Sequence, residues 1–285
     1  MYTDNIRKYL TIALIAGWII TLIYFFLGIT GRTRSYIPFA KTYKSEISRL
    51  DLPLTPVDKA ISLLRVRKDK DALVAFDKIL LIDPDNIDAR WGKAEVFRRA
   101  HQEKIAELIF KEILNSTPDY ANALMSLSYI RYKENKLKDA LDLTNSVLEF
   151  SNSSKENKAL AFSLQGLIYG RRLSDGQFTD KINFAKASKV CFFKSLSLGP
   201  NLTEIHANLG RFYLLASPAW GGNLGKAFNE LELAVAMAPD FSTAQALLAQ
   251  AYKKKGDLKN YNLYLKIAKG LDPKNEIVEE IEKNR

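Results

Sequence analysis

The sequence predicts an all-α chain, a solenoid of about six helix-turn-helix units preceded by one transmembrane helix. Three observations predict it. No charged residue occurs from Tyr9 to Gly31; prolines recur at a spacing of 34 residues; and small and large side chains return at fixed distances before those prolines. A fixed period near 34 marks a stack of helix pairs, because one pair cannot bury its apolar face alone and must lean on the next.

Composition bounds the rest. With 285 residues the chain is long enough for a sizeable core, and 26% charged with 47% hydrophobic residues fits a folded protein. The single cysteine, Cys191, excludes an intramolecular disulfide and any cysteine-based zinc or iron–sulfur site. His101 and His206 are too few and too far apart for a histidine-rich metal centre. The formal charge of +10 favours an anionic partner or a membrane surface.

A short tail, residues 1–8, leads into the charge-free run 9–31. At about 1.5 Å per residue that run can cross a hydrocarbon layer of roughly 30 Å as a helix. It carries no polar face, and it exceeds the apolar region of a cleaved signal peptide, which ends in a small-x-small site; Ala13 and Ala16 lie inside the run instead. The expectation is an uncleaved single-pass signal anchor, in a bacterial inner membrane. Arg7 and Lys8 on the amino side face Arg32, Arg34, Lys41, Lys44 and Arg49 on the other, so flanking charge leans towards a cytoplasmic solenoid. Residues 32–52 read as a juxtamembrane linker.

From there the prolines set the register. Pro84 to Pro118 and Pro239 to Pro273 each span 34 residues, and Pro200 fits once two insertions are allowed. Twelve residues before four of these prolines stand Ala72, Ala106, Ala227 and Tyr261; eight before stand Phe76, Phe110, Leu231 and Leu265. Small residues let two helices approach and large ones fill the space to the next unit. The units are 51–84, 85–118, 119–152 (with Asn152 in place of proline), 153–200 (with Ser188 and Ser195 in place of the expected alanines), 201–239 and 240–273. Residues 274–285 form a polar capping helix.

These residues resemble the tetratricopeptide repeat (TPR), most closely in the last unit, with Ala249, Tyr252, Gly256-Asp257, Ala268 and Leu271-Asp272-Pro273. The resemblance implies a right-handed superhelix, with the first helix of each unit lining a groove for peptides or helices, and no catalysis. Carried over residue by residue, the groove positions are Asp88, Trp91, Glu95, Arg98 and Arg99 in unit two, and Asn122, Met125, Tyr129, Tyr132 and Lys133 in unit three. Leu167 and Arg171 follow in unit four, Arg211 in unit five, and Gln250, Lys253 and Lys254 in unit six. That set is basic with aromatic anchors and suits acidic or carboxylate-bearing segments of partner proteins. The family's carboxylate clamp, a set of Lys, Asn and Arg residues, does not occur at the matching positions. The alternative for each cation is the solvated end of a helix.

The two insertions fall at the turns between first and second helices of neighbouring units. One lies within residues 171–180 and carries Arg171, Arg172 and Phe178; the other is Ser217–Gly222 with Trp220, Gly221 and Gly222. Neighbouring long loops on one edge of a solenoid suit a partner site, or else fold back over the helix ends.

No phosphate loop, dinucleotide fingerprint or nucleophile elbow occurs. His101, His206 and Cys191 read as surface or packing residues, so no enzyme and no cofactor is expected. Beyond the run 9–31 the charge is +9, dispersed and without a nucleic-acid motif, which ranks nucleic acid below lipid headgroups as a partner. The expected function is therefore a membrane-anchored scaffold that recruits or assembles protein partners. The rival is a TPR accessory of a bacterial solute transporter outside the cytoplasm, suggested by Gly221-Gly222 ahead of Lys226-Ala227 and opposed by the lack of a lipid-accepting cysteine near the start.

Overall fold

The computed structural model describes residues 54–173 and 178–283, apart from the side chains of Phe178 and Thr179. The tail, the charge-free run 9–31 and the whole linker 32–52 therefore lie outside the described residues, and so does the centre of the first insertion. No described helix is long and apolar enough to cross a membrane.

Among the described residues the chain is all-helical. The helices are α1 (Pro56–Arg65), α2 (Asp69–Ile82), α3 (Ile87–Arg99), α4 (Glu103–Ser116), α5 (Ala121–Lys133), α6 (Leu137–Glu149), α7 (Lys155–Arg172), α8 (Phe178–Leu198), α9 (Thr203–Leu215), α10 (Leu224–Met237), α11 (Ser242–Lys255), α12 (Leu258–Leu271) and α13 (Glu276–Lys283). Short side chains start several of them by accepting an otherwise unpaired backbone N–H. Thr55 and Asp58 form a reciprocal capping box around Pro56 at the start of α1, and Asn86, Ser154, Asn223 and Asp257 cap α3, α7, α10 and α12.

Consecutive helices pack in pairs, α1 with α2 through to α11 with α12. The first helices of successive pairs, α1, α3, α5, α7, α9 and α11, also pack on one another in series, whereas the second helices form no such series. This is an α-solenoid with the first helices as its inner layer. The repeated positions form the core: Ala72, Ala106, Ala140, Ala227 and Ala268 are fully buried, as are Phe76, Phe110 and Leu231. At two first-helix glycines the large residue of a second helix sits directly on the backbone. A Cβ on Gly92 would lie 2.1 Å from the Phe76 ring, and one on Gly210 would lie 2.6 Å from Leu231.

The atypical units find substitutes for what they lack. Asn152 donates from Nδ2 to the Asp119 carboxylate at 2.7 Å, and Ser188 donates to the Gly166 carbonyl at 2.8 Å. α13 closes the stack on α11 and α12 with Ile277, Val278 and Ile281 buried, so the last segment is amphipathic rather than polar throughout.

The first insertion takes a different form from a long loop. Arg171 and Arg172 belong to α7 and Phe178 to α8, and these helices have 18 and 21 residues where the others paired in the stack have 10 to 14. The extra residues lengthen helices because no proline interrupts them and Asp180 sits favourably in the first turn of α8.

Candidate partner-binding surface

At the carboxyl end of α3 the basic residues meet a buried acid. Glu95 accepts from Arg98 Nε and Nη2 at 2.8 and 2.6 Å, from Arg99 Nε at 3.0 Å and from the Ser126 hydroxyl at 2.9 Å. Burial alone would raise its carboxyl, but the two guanidiniums and the hydroxyl hold it at about 2. Arg98 also lies 4.5 Å over the Tyr129 ring, and Trp91 donates its indole N–H to Ser126 at 3.1 Å. Trp91 and Arg98 thus join units two and three within the stack, while Arg99 ties the same acid to unit one through Asp69.

A second pattern repeats along the inner layer. Arg99 donates to the Leu64 carbonyl (2.8 Å), Arg171 to the Tyr132 carbonyl (2.8 Å) and Lys254 to the Leu214 carbonyl (2.7 Å). Each is a cation near the end of a first helix finishing the end of the first helix before it, where carbonyls lack partners and the helix dipole favours positive charge. Arg171 also stacks 3.9 Å over the Tyr132 ring and pairs with Glu276 of α13 at 3.0 Å; Tyr129 and Tyr132 have ring centroids 6.2 Å apart. Lys133 pairs with Glu103 at 2.6 Å. Lys253 is exposed with its ammonium 5.5 Å from the Tyr261 ring. Arg211 is half-buried near Tyr132, whose hydroxyl pKa burial raises while Arg211 and Arg171 lower it.

The turns between paired helices add contacts that span the stack. Arg67 and His101 adopt left-handed backbone, φ 64° and 61°, at the register where Gly256 has φ 85°. From there Arg67 reaches Glu204 of α9 at 2.7 Å and stacks 3.9 Å over Phe241, while His101 meets Asp272 beyond α12 at 2.9 Å. Arg99 also pairs with Asp69 at 2.8 Å, and Arg65 with Glu156 of α7. These latching partners were hidden in the sequence; the only signal was an arginine and a histidine at a turn position that favours glycine.

The second insertion is a built turn. Pro218–Trp220 makes one 3-10 turn, and Gly221 follows with φ 99°. The Gly222 N–H donates to the Ser217 carbonyl and that of Asn223 to the Tyr213 carbonyl, both at 2.9 Å. A Cβ on Gly222 would lie 1.9 Å from the Ala216 oxygen, so only glycine fits. The turn leaves Trp220 37% and Leu215 62% exposed. Arg172 lies 5.9 Å over the Phe184 ring of α8. The buried His206 faces Glu230 and the Pro200 carbonyl, both at 2.7 Å, and burial pushes the Cys191 thiol up to about 11, which suits packing roles. Among the described residues no group of acidic, His or Cys side chains could hold a metal ion.

These features define a helix-pair α-solenoid. No protein-family model matches the chain, and no curated protein does. Solved structures do. Human IFIT1, in a dimer with m7Gppp-AAAA, is 17% identical with a TM-score of 0.54, over 93% of this chain and 61% of that one. The APC/C hetero-tetramer Cut9-Hcn1 is 15% identical with a TM-score of 0.53, over 80% and 42%. A tetratricopeptide repeat protein from Parabacteroides merdae is 15% identical at 0.48, over 80% and 82%. At these identities the likeness concerns the fold.

Proposed function

We propose that this chain is a membrane-anchored scaffold whose helix-pair solenoid binds protein or peptide partners and recruits or assembles them at the membrane. The observation that carries the binding half is the Ser217–Asn223 turn. Backbone hydrogen bonds and two glycines fix it, yet it leaves Trp220 partly exposed, beside the exposed Leu215 at the end of α9. A rigid turn that exposes an aromatic residue loses little freedom when a partner closes over it, which favours binding. Arg211 and the exposed Lys253 supply cations for an acidic segment, whereas Arg98 and Arg99 spend their charge inside the fold. The anchoring half rests on the charge-free run 9–31.

Two measurements test the halves separately. A photo-crosslinking side chain placed at Leu215 should capture discrete protein partners in intact cells. Trp220→Ala should reduce that capture at least several-fold while leaving the unfolding free energy within about 0.5 kcal/mol of the parent; equal capture by both chains would discard the surface. Alkaline extraction of membranes should leave the chain in the pellet, and release into the supernatant would discard the anchor. Protease treatment of a carboxyl-terminal tag in cells stripped of outer barriers reports the side, a protected tag being expected from the flanking charge.

A further inference from the structure

We infer that the outer face of α8 is a docking surface for an anionic lipid bilayer. Charge is distributed unevenly along the solenoid. Residues 85–118 carry six basic and six acidic residues, whereas residues 153–200 carry eight basic against three acidic. Within α8, Lys186, Lys189, Val190, Phe193 and Lys194 recur at helical spacing and are all exposed, while Ala185, Ser188, Cys191, Phe192 and Ser195 on the opposite side are buried. Val190 is 51% and Phe193 44% exposed, flanked by lysines.

The lysines also differ from the arginines of unit two in having no acidic partner. Among the described residues Lys186, Lys189 and Lys194 form no ion pair; Lys194 lies 5.1 Å over the Phe162 ring, and Lys189 lies beside Gly221. The described carboxylate on this helix is Asp180, in its first turn.

Lysines around an aliphatic and an aromatic side chain match the boundary between headgroups and acyl chains. The ammonium groups reach phosphate and carboxylate while Phe193 and Val190 enter the apolar margin. A nucleic acid would meet the lysines but leave Val190 without a matching surface, since recognition there runs through phosphates and stacked bases. An anionic bilayer satisfies both halves of the face, and each lysine close to such a surface contributes about fivefold in partitioning. This goes beyond the anchor, because it concerns which face the solenoid turns to the membrane.

The test uses the full chain with nanodiscs of phosphatidylcholine alone or with about one-third phosphatidylserine. Cys191 is changed to Ser and an environment-sensitive fluorophore is attached at Phe193→Cys or, as a control, at Leu108→Cys on α4. The label at 193 should brighten at least twofold and shift to the blue in the anionic discs only, and the combination K186E, K189E and K194E should abolish the response with circular dichroism unchanged. The label at 108 should not respond. Equal emission at 193 in both discs, or a response to a 20-nucleotide RNA or an acidic peptide but not to the anionic disc, overturns the inference. Co-elution with neutral discs reports the anchor independently: a chain that co-elutes without a response at 193 keeps the anchor and loses the docking face. One that binds only anionic discs, with the response, keeps the face and loses the anchor.

Discussion

Glu95 is the residue on which unit two turns. Its carboxyl lies at about 2 against an ordinary value of 4.5, so the folded state holds the charged form more tightly than the unfolded chain does. The resulting stabilisation is fully present above pH 4.5 and disappears as pH falls through 2; at 1.36 kcal/mol per unit it is of the order of 3 kcal/mol. Glu95→Gln should therefore cost about 3–5 kcal/mol at pH 7, because Arg98 and Arg99 lose the anion they share. The variant should also show a flatter acid dependence between pH 4.5 and 2 in urea unfolding. An unchanged midpoint at pH 7 would mean that the network holds nothing together. The basic members of this cluster were legible in the sequence, since the repeat places Arg98 and Arg99 at the end of a first helix. Glu95, three and four residues before them, was legible too, but the partners in other units were not. Asp69 lies 30 residues from Arg99, and Glu204 lies 137 residues from Arg67, separations fixed by how the stack curves rather than by a period.

Elements were legible wherever small and large residues alternate in register. Ala72, Phe76, Ala106 and Phe110 name buried positions before any coordinates do, because only one face of each helix can meet its neighbour. Two glycines turn that packing into opposite predictions. Gly92→Ala would drive a methyl into the buried Phe76 ring and should destabilise by about 1–3 kcal/mol. Gly270→Ala, on the exposed side of α12 with open space around it, should stabilise by about 0.5–1 kcal/mol. Thermal unfolding of the pair checks both signs. The insertions were visible as breaks in the proline spacing, but spacing counts residues and is blind to their conformation. The first insertion accordingly lengthened α7 and α8, while the second became a glycine-dependent turn.

In the stack as a whole, repeat arrays ordinarily gain stability only from adjacent units. Here Arg67–Glu204 and His101–Asp272 tie early turns to late helices, and both ties start from left-handed residues whose backbone costs about 1 kcal/mol or more each. Replacing both by glycine tests what they contribute, since glycine suits that backbone and removes only the reach. Arg67→Gly with His101→Gly should keep the helix content, enlarge the radius of gyration in small-angle scattering and weaken the salt dependence of that radius, Arg65–Glu156 remaining as a shorter tie. A radius equal to the parent's at low salt would show that packing alone sets the curvature. The ties also bear on how such a chain can change over generations. Arrays of this sort commonly drift in length by duplicating or losing a module, which neighbour-only contacts tolerate. A module added between Arg67 and Glu204, or removed, would carry each partner out of reach of the other. The latches thus act as a ruler on the gene, allowing residues to vary within a unit while fixing the number of units between the tied residues.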